Sequence, residues 1–171
     1  MKYLQNTLLL LMIALLICSC SKEEFDDPTF NDSSYNKIES GSMEAVLNGN
    51  MFTSNNIQTT RQSANLIKIT ASGLTEGLTI TLSARSEGMY TIGGDEPNYL
   101  TYTTVVYKQS GSVETKFTSK QEHSAFGIIE VLKTDLENNT ISGIFNGTLV
   151  LDEDSDISIE IKNGIFNQVP F

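Results

Sequence analysis

"TISGIFNGTLVL" (Thr140–Leu151) and "ISIEIKNGIFNQVPF" (Ile157–Phe171) decide the fold of this chain. In the first segment Ile141, Phe145, Leu149 and Leu151 share one parity, with Gly143 and Gly147 between them. In the second, Ile157, Ile159 and Ile161 alternate with Ser158, Glu160 and Lys162. A period of two is the strand period: one face goes to a core and the other to water. The acidic "DEDSD" (Asp152–Asp156) between the segments reads as a turn.

The same pattern extends upstream. "GLTITLSAR" sets Leu78, Ile80, Leu82 and Ala84 against Thr79, Thr81 and Ser83. "YLTYTTVVY" is rich in Tyr, Thr and Val, which suit strands. "FGIIEVLKT" is a strand, and "DLENN" turns after it. In "MEAVLNGNMFTS", Asn48-Gly49 separates two short apolar stretches, the signature of a hairpin with a type I′ turn. The stretch "IQTTRQSANLIKI" has room for one helical turn, although its β-branched residues oppose a longer helix. Strands recurring every 8–12 residues or so, with turn signals between them, predict an all-β fold. We expect an antiparallel β-sandwich or partly open barrel of about eight strands.

"SGIFN" (142–146) and "NGIFN" (163–167) echo each other. Two copies do not make a repeat architecture, which needs at least three. The glycines read as bulges or points of close backbone approach, with Phe145 and Phe166 filling the space above them.

The N-terminus has another character. Lys2 precedes "LLLLMIALLI", an unbroken apolar run from Leu8 to Ile17. That is about half of a membrane-spanning helix and fits the apolar region of a secretory signal. Residues 21–42 are polar, acidic and aperiodic, as expected of a flexible tether. Of the 21 acidic residues, none lies before Cys20, so the chain from there onward is more negative than the overall −10. Such a surface repels nucleic acid and suits cations or neutral ligands.

Ile17, Cys18, Ser19 and Cys20 resemble the lipobox of bacterial lipoproteins. The resemblance implies cleavage after residue 19 and acylation of Cys20, which anchors the chain to a lipid bilayer. Two or three acyl chains, at about 0.8 kcal/mol per buried CH₂, hold stably. Ser21, Lys22, Glu23 and Glu24 resemble the acidic signal that exports lipoproteins of Bacteroidota to the cell surface. The domain itself resembles small lipoproteins of unknown function from Bacteroidota. The shared elements are the hairpin of Ala45, Leu47, Asn48, Gly49 and Phe52, the Ile141–Phe145 strand, and the end formed by Gly164, Phe166, Val169, Pro170 and Phe171. The implied organisation is a signal peptide at 1–19, a lipidated cysteine and tether at 20–42, and a β domain at 43–171. The implied place is the outer membrane, exposed at the cell surface, and no catalytic residue transfers.

Few residues suggest chemistry. His123 is the single histidine and lies in the polar "SKQEHSAF". No nucleophile motif accompanies it, and zinc would lack ligands once Cys20 is acylated. Glu76, Glu87 and Glu130 are carboxylates on scattered strands and turns, with nothing to pair them across a cleft. Asp152, Asp154 and Asp156 alternate like the first ligands of a calcium loop. Ile157 and Asn163 then stand where that loop needs Gly and Glu. A charged turn is the simpler reading. Tyr90, Tyr99, Tyr102 and Tyr107 cluster in the middle of the chain; core or edge packing is the simpler reading, and a binding surface for a glycan or an envelope protein is the functional one. On β-strand parity, Tyr102 opposes Tyr99 and Tyr107. The expectation is therefore a non-catalytic binding module without a cofactor. The rivals are a β-barrel carrier of a small apolar ligand and a purely structural envelope protein.

Overall fold

The computed structural model describes residues 38–83, 86–93, 96–108, 111–120, 125–152 and 154–171. Cys20, the export signal Ser21–Glu24 and His123 lie outside them. The described chain is all-β and antiparallel. Eleven strands follow in order: β1 (Ser42–Leu47), β2 (Asn50–Ser54), β3 (Ile57–Arg61), β4 (Ile67–Ser72), β5 (Glu76–Leu82), β6 (Gly88–Ile92), β7 (Tyr99–Lys108), β8 (Gly111–Thr118), β9 (Phe126–Asp135), β10 (Thr140–Leu151) and β11 (Asp154–Pro170).

Eleven strands stand where about eight were expected. The difference comes from short pieces such as β2, β3 and β6, each five residues long. Polar "IQTTR" is one of them: it forms β3 and pairs with β4 from Ile57↔Ala71 to Arg61↔Ile67. No helical turn forms in that stretch, because the ladder satisfies its backbone groups better than one isolated turn would.

The sheet runs β2-β1-β11-β10-β8-β7-β5-β4-β3, with β9 and β6 branching from β10. The branch arises because β10 shares one edge between two partners. Thr140 to Thr148 pair with β9, and Val150 and Leu151 then pair with Thr118 and Phe117 of β8. One arm is therefore β2-β1-β11-β10-β9-β6 and the other is β8-β7-β5-β4-β3. Both arms feed a single core, to which Phe52, Phe145, Ile161 and Phe166 come from the first and Ile69, Leu78, Ile80 and Leu100 from the second. Far from the β8–β10 seam, Thr59 Oγ1 donates to the Pro170 carbonyl at 2.6 Å and ties β3 to the end of β11.

The two echoing pentapeptides are cross-strand partners. Gly143 pairs with Phe166, Ile144 with Ile165 and Phe145 with Gly164. Each phenylalanine ring covers the glycine opposite it. A Cβ on Gly164 would lie 2.5 Å from the Phe145 ring, and one on Gly143 would lie 2.5 Å from Phe166 Cζ. The rings themselves sit 6.3 Å apart, tilted by 30°. On either side of this motif β11 carries one residue more than β10. Asn163 (φ 51°) and Gln168 (φ 47°) adopt left-handed backbone at these bulges.

The chain enters the domain beside the second bulge. Asn167 Nδ2 donates to the Ile38 carbonyl (2.9 Å), and the Gly41 N–H donates to the Asn167 carbonyl (2.7 Å). Ser142 Oγ donates to Asn167 Oδ1 (3.3 Å) and accepts the Gln168 N–H (2.9 Å). Asn167 and Ser142 are both buried, so this network fixes the entry point at one end of β1.

Candidate functional site

The far end of β1 borders a concavity. Asn48 and Gly49 both have positive φ, at 46° and 84°, and join β1 to β2 in the tight turn that Asn-Gly favours. The turn is pinned to β11: the Asn48 N–H donates to the Glu160 carbonyl (3.0 Å), and Asn48 Oδ1 accepts the Glu160 N–H (2.8 Å). Leu47 and Phe52 flank the turn and point into the core, where both are buried.

Across from this hairpin stand β5 and β7 of the other arm. Tyr102 shares its face with Leu78 and Leu100, but lies where the core ends. Its ring packs against Phe117 with centroids 6.4 Å apart. Its hydroxyl donates to Glu76 Oε2 at 2.7 Å. Burial, with the Glu76 carboxylate accepting the bond and adding negative charge, pushes the Tyr102 hydroxyl well above the usual tyrosine range. The two arms enclose a cleft of about 320 Å³, lined by Leu47, Asn48, Phe52, Glu76, Tyr102 and Ile159. Its floor is apolar, and its polar groups are one carboxylate, one phenol and the hairpin amides. A second, shallower cleft of about 400 Å³ lies at the chain's entry end, between Ile38, Glu39, Ser42, Glu44 and Ser54.

The tyrosines read either as packing or as a common binding surface take separate places. Tyr102 lines the cleft. Tyr99 stands on the opposite face of β7, with Lys120 Nζ 5.3 Å from its ring centroid. Tyr90 is on β6 in the other arm, packs against the core, and donates to the Ser86 carbonyl at 2.6 Å. Tyr107 belongs to β7 with the parity of Tyr99, and its side chain lies outside what is described.

The aspartates of the β10–β11 turn are engaged structurally. Asp152 pairs with Lys116 at 2.8 Å. Asp154 Oδ1 accepts the Asp156 N–H at 3.0 Å. Among the described residues no group of three His, Cys, Asp or Glu side chains could hold a metal ion. The three scattered glutamates also stay apart in role. Glu76 holds Tyr102, Glu87 Oε1 accepts the Thr134 N–H (3.3 Å), and Glu130 sits mid-strand between Ile144 and Met89.

The cleft's lining was visible in the sequence only in pieces. The Asn-Gly turn announced the hairpin, and Ile157, Ile159 and Ile161 announced an inward face. That Glu76 would meet Tyr102 follows from the β5–β7 pairing, in which Leu78 opposes Tyr102. No local signal carries that pairing.

The chain matches the family described as a domain of unknown function, DUF6252, over residues 39–170. It belongs to that family. The match begins at the entry segment held by Asn167 and ends at Pro170, so it spans both arms and the cleft of this DUF6252 domain. No curated protein and no solved structure matches the chain.

Proposed function

We propose that this DUF6252 protein is a lipid-anchored, non-catalytic binding module of the bacterial outer membrane, exposed at the cell surface. The observation that carries the reading is the position of the cleft. The chain enters at Ile38–Gly41, held by Asn167, and the cleft opens at the Asn48-Gly49 turn, at the other end of β1. At about 3.3 Å per residue, that strand separates the two by roughly 20 Å. A tether running from acylated Cys20 to residue 38 thus attaches at the end opposite the cleft, which is the arrangement a tethered receptor needs.

The apolar-carrier alternative draws less support. The centre of the domain, where a carrier keeps its ligand, holds the fully buried rings of Phe52, Phe145 and Phe166. The rings over Gly143 and Gly164 are packed to contact distance.

Two measurements test the reading. Cys20→Ala is expected to move the protein from the membrane fraction to a soluble one; partition with membranes in both forms overturns the anchor. Amide shifts of the labelled protein, titrated with soluble neutral polysaccharides and with peptides, are expected to cluster at Asn48–Phe52, Tyr102 and the strands beside them. Shifts confined to the entry-end cleft overturn the placement of the binding end.

A further inference from the structure

Strands β7 and β8 outrun the rest of the sheet. The last contacts of β10 with β8 are Leu151↔Phe117 and the bond from the Asp152 N–H to the Lys116 carbonyl (2.9 Å). On the other side, β5 leaves β7 at Glu76↔Thr104, with one further bond from the Val105 N–H to the Thr75 carbonyl (2.7 Å). Beyond these points Val106–Lys108 and Gly111–Thr115 form a two-stranded ribbon standing past the β10–β11 turn. Among the described residues no strand pairs with β8 there, which leaves an edge five residues long, about 16 Å by strand rise.

The register shows which backbone groups that edge offers. Gly111 pairs with Lys108 at the tight hairpin end. A two-residue hairpin loop closes on a hydrogen-bonded pair, and such pairs then alternate along the ladder. Val106↔Val113 and Thr104↔Thr115 are therefore bonded to each other. Ser112 and Glu114 turn their N–H and C=O groups the other way. The Lys116 carbonyl, of the same parity, faces outward in this manner and is taken by Asp152.

The ribbon's inner face continues the apolar pattern past the core. Along β7 that face runs from buried Leu100 through Tyr102 and Thr104 to Val106, which is 52% exposed and opposes Val113, 47% exposed. On β11 the inward series ends in Ile157, which is 48% exposed. The rim around it is acidic. Glu76, Glu114, Asp152, Asp154, Asp156 and Glu160 belong to this end, six carboxylates against three lysines: Lys116, paired with Asp152, Lys162, paired with Glu160, and Lys108 of the ribbon itself.

We propose that the free edge of β8, Gly111–Thr115, is a docking edge for an extended basic peptide segment of a partner protein. The segment adds a strand in line with β10. Its main chain bonds Ser112 and Glu114, its apolar side chains cover Val106 and Val113, and its cations meet Glu114 and the Asp154–Asp156 turn. This rests on the binding-module reading and names the partner's chemistry. The charge of the rim selects the occupant: an acidic segment is repelled, and a neutral one gains only the backbone and apolar contacts.

The test uses the full-length, lipid-anchored protein in detergent micelles with nitrogen-labelled amides. The probe is an end-blocked peptide of about eight residues alternating Lys and Val, enough to span the edge. Its controls are Glu/Val and Thr/Val peptides of equal length, and the Lys/Val peptide N-methylated at alternate residues. The Lys/Val peptide is expected to bind at least about tenfold tighter than either control, and to weaken by about tenfold when salt screens the rim. The largest amide shifts fall on Ser112 and Glu114. N-methylation in the register that blocks strand pairing abolishes binding, and Glu114→Lys weakens it without changing the melting temperature. Equal binding of the Thr/Val peptide, or no shift on β8, overturns the proposal. Shifts at Asn48 and Tyr102 with β8 unmoved also overturn it, yet leave the binding-module reading standing. That reading fails separately, if the Cys20→Ala protein stays with membranes.

Discussion

The Gly143–Phe166 and Gly164–Phe145 pairs and the Tyr102–Glu76 mouth are two ends of one construction principle. Both place an aromatic ring on an inward strand face. In the first, each ring lies on the glycine opposite it and is sealed between the arms. In the second, the ring packs sideways on Phe117 and turns a hydroxyl to a carboxylate at the edge of solvent. A closed core gains from fitting apolar surface without gaps. An open mouth keeps a polar handle and gives up burial. The lesson is that the same alternation of apolar residues builds the stable part of this domain and then, where the facing arm no longer covers it, an open cleft mouth.

Breaking the closed end should cost most. Phe166→Ala removes a fully buried ring and uncovers Gly143, with an expected loss of about 4 kcal/mol in urea unfolding. A loss below about 1 kcal/mol means that the ring over Gly143 contributes little to the closed end. Gly164→Ala adds one methyl group against the Phe145 ring and carbonyl, each 2.5 Å from the new atom. The expected cost is about 2–3 kcal/mol, from overpacking. Combining Gly164→Ala with Phe145→Leu should recover part of it, since the two sites share one space.

Changes at the open end should cost less. Tyr102→Phe deletes the bond to Glu76 at a half-buried position, for a loss of about 1 kcal/mol. The same variant sharpens an optical test. In the folded protein Tyr102 ionises above the ordinary value of 10.0. Its neutral form therefore favours the folded state, an advantage complete below that pH and lost as pH rises toward the higher folded value. Absorbance at 295 nm should show a late-titrating tyrosine in the parent that is missing in Tyr102→Phe.

The smallest effects are at the ribbon and the distal turn. Val113→Ser should leave stability within about 0.5 kcal/mol, because Val113 is already half exposed. Asp135 accepts bonds from the Asn138 side chain and backbone and from the Glu137 N–H, which hold its carboxyl below its ordinary range. Its stabilising effect is present above the ordinary carboxylate value and fades as pH falls through the lowered one. Asp135→Asn should flatten that acid limb slightly in thermal melts taken between neutral pH and strong acid.

Much of the fold was legible because it rests on local rules. Strand parity at Ile141–Leu151 and Ile157–Ile161 and the Asn48-Gly49 turn each depend on a few adjacent residues. The ends of strands β2, β3 and β6 were harder, since polar edge strands lack a strong apolar period. The candidate site was less legible still: Glu76 and Tyr102 are 26 residues apart, and Leu47 and Ile159 are farther.

The sequence by itself determined an all-β chain, its inward faces, its hairpin and its acidic charge, because period and turn chemistry act within a few residues. Only the tertiary structure decided that β10 would split its edge between β9 and β8, that the two pentapeptides would face each other, and that β7 and β8 would outrun their neighbours. Those outcomes depend on which strand edges meet, and pairing between distant strands leaves no mark on either strand alone.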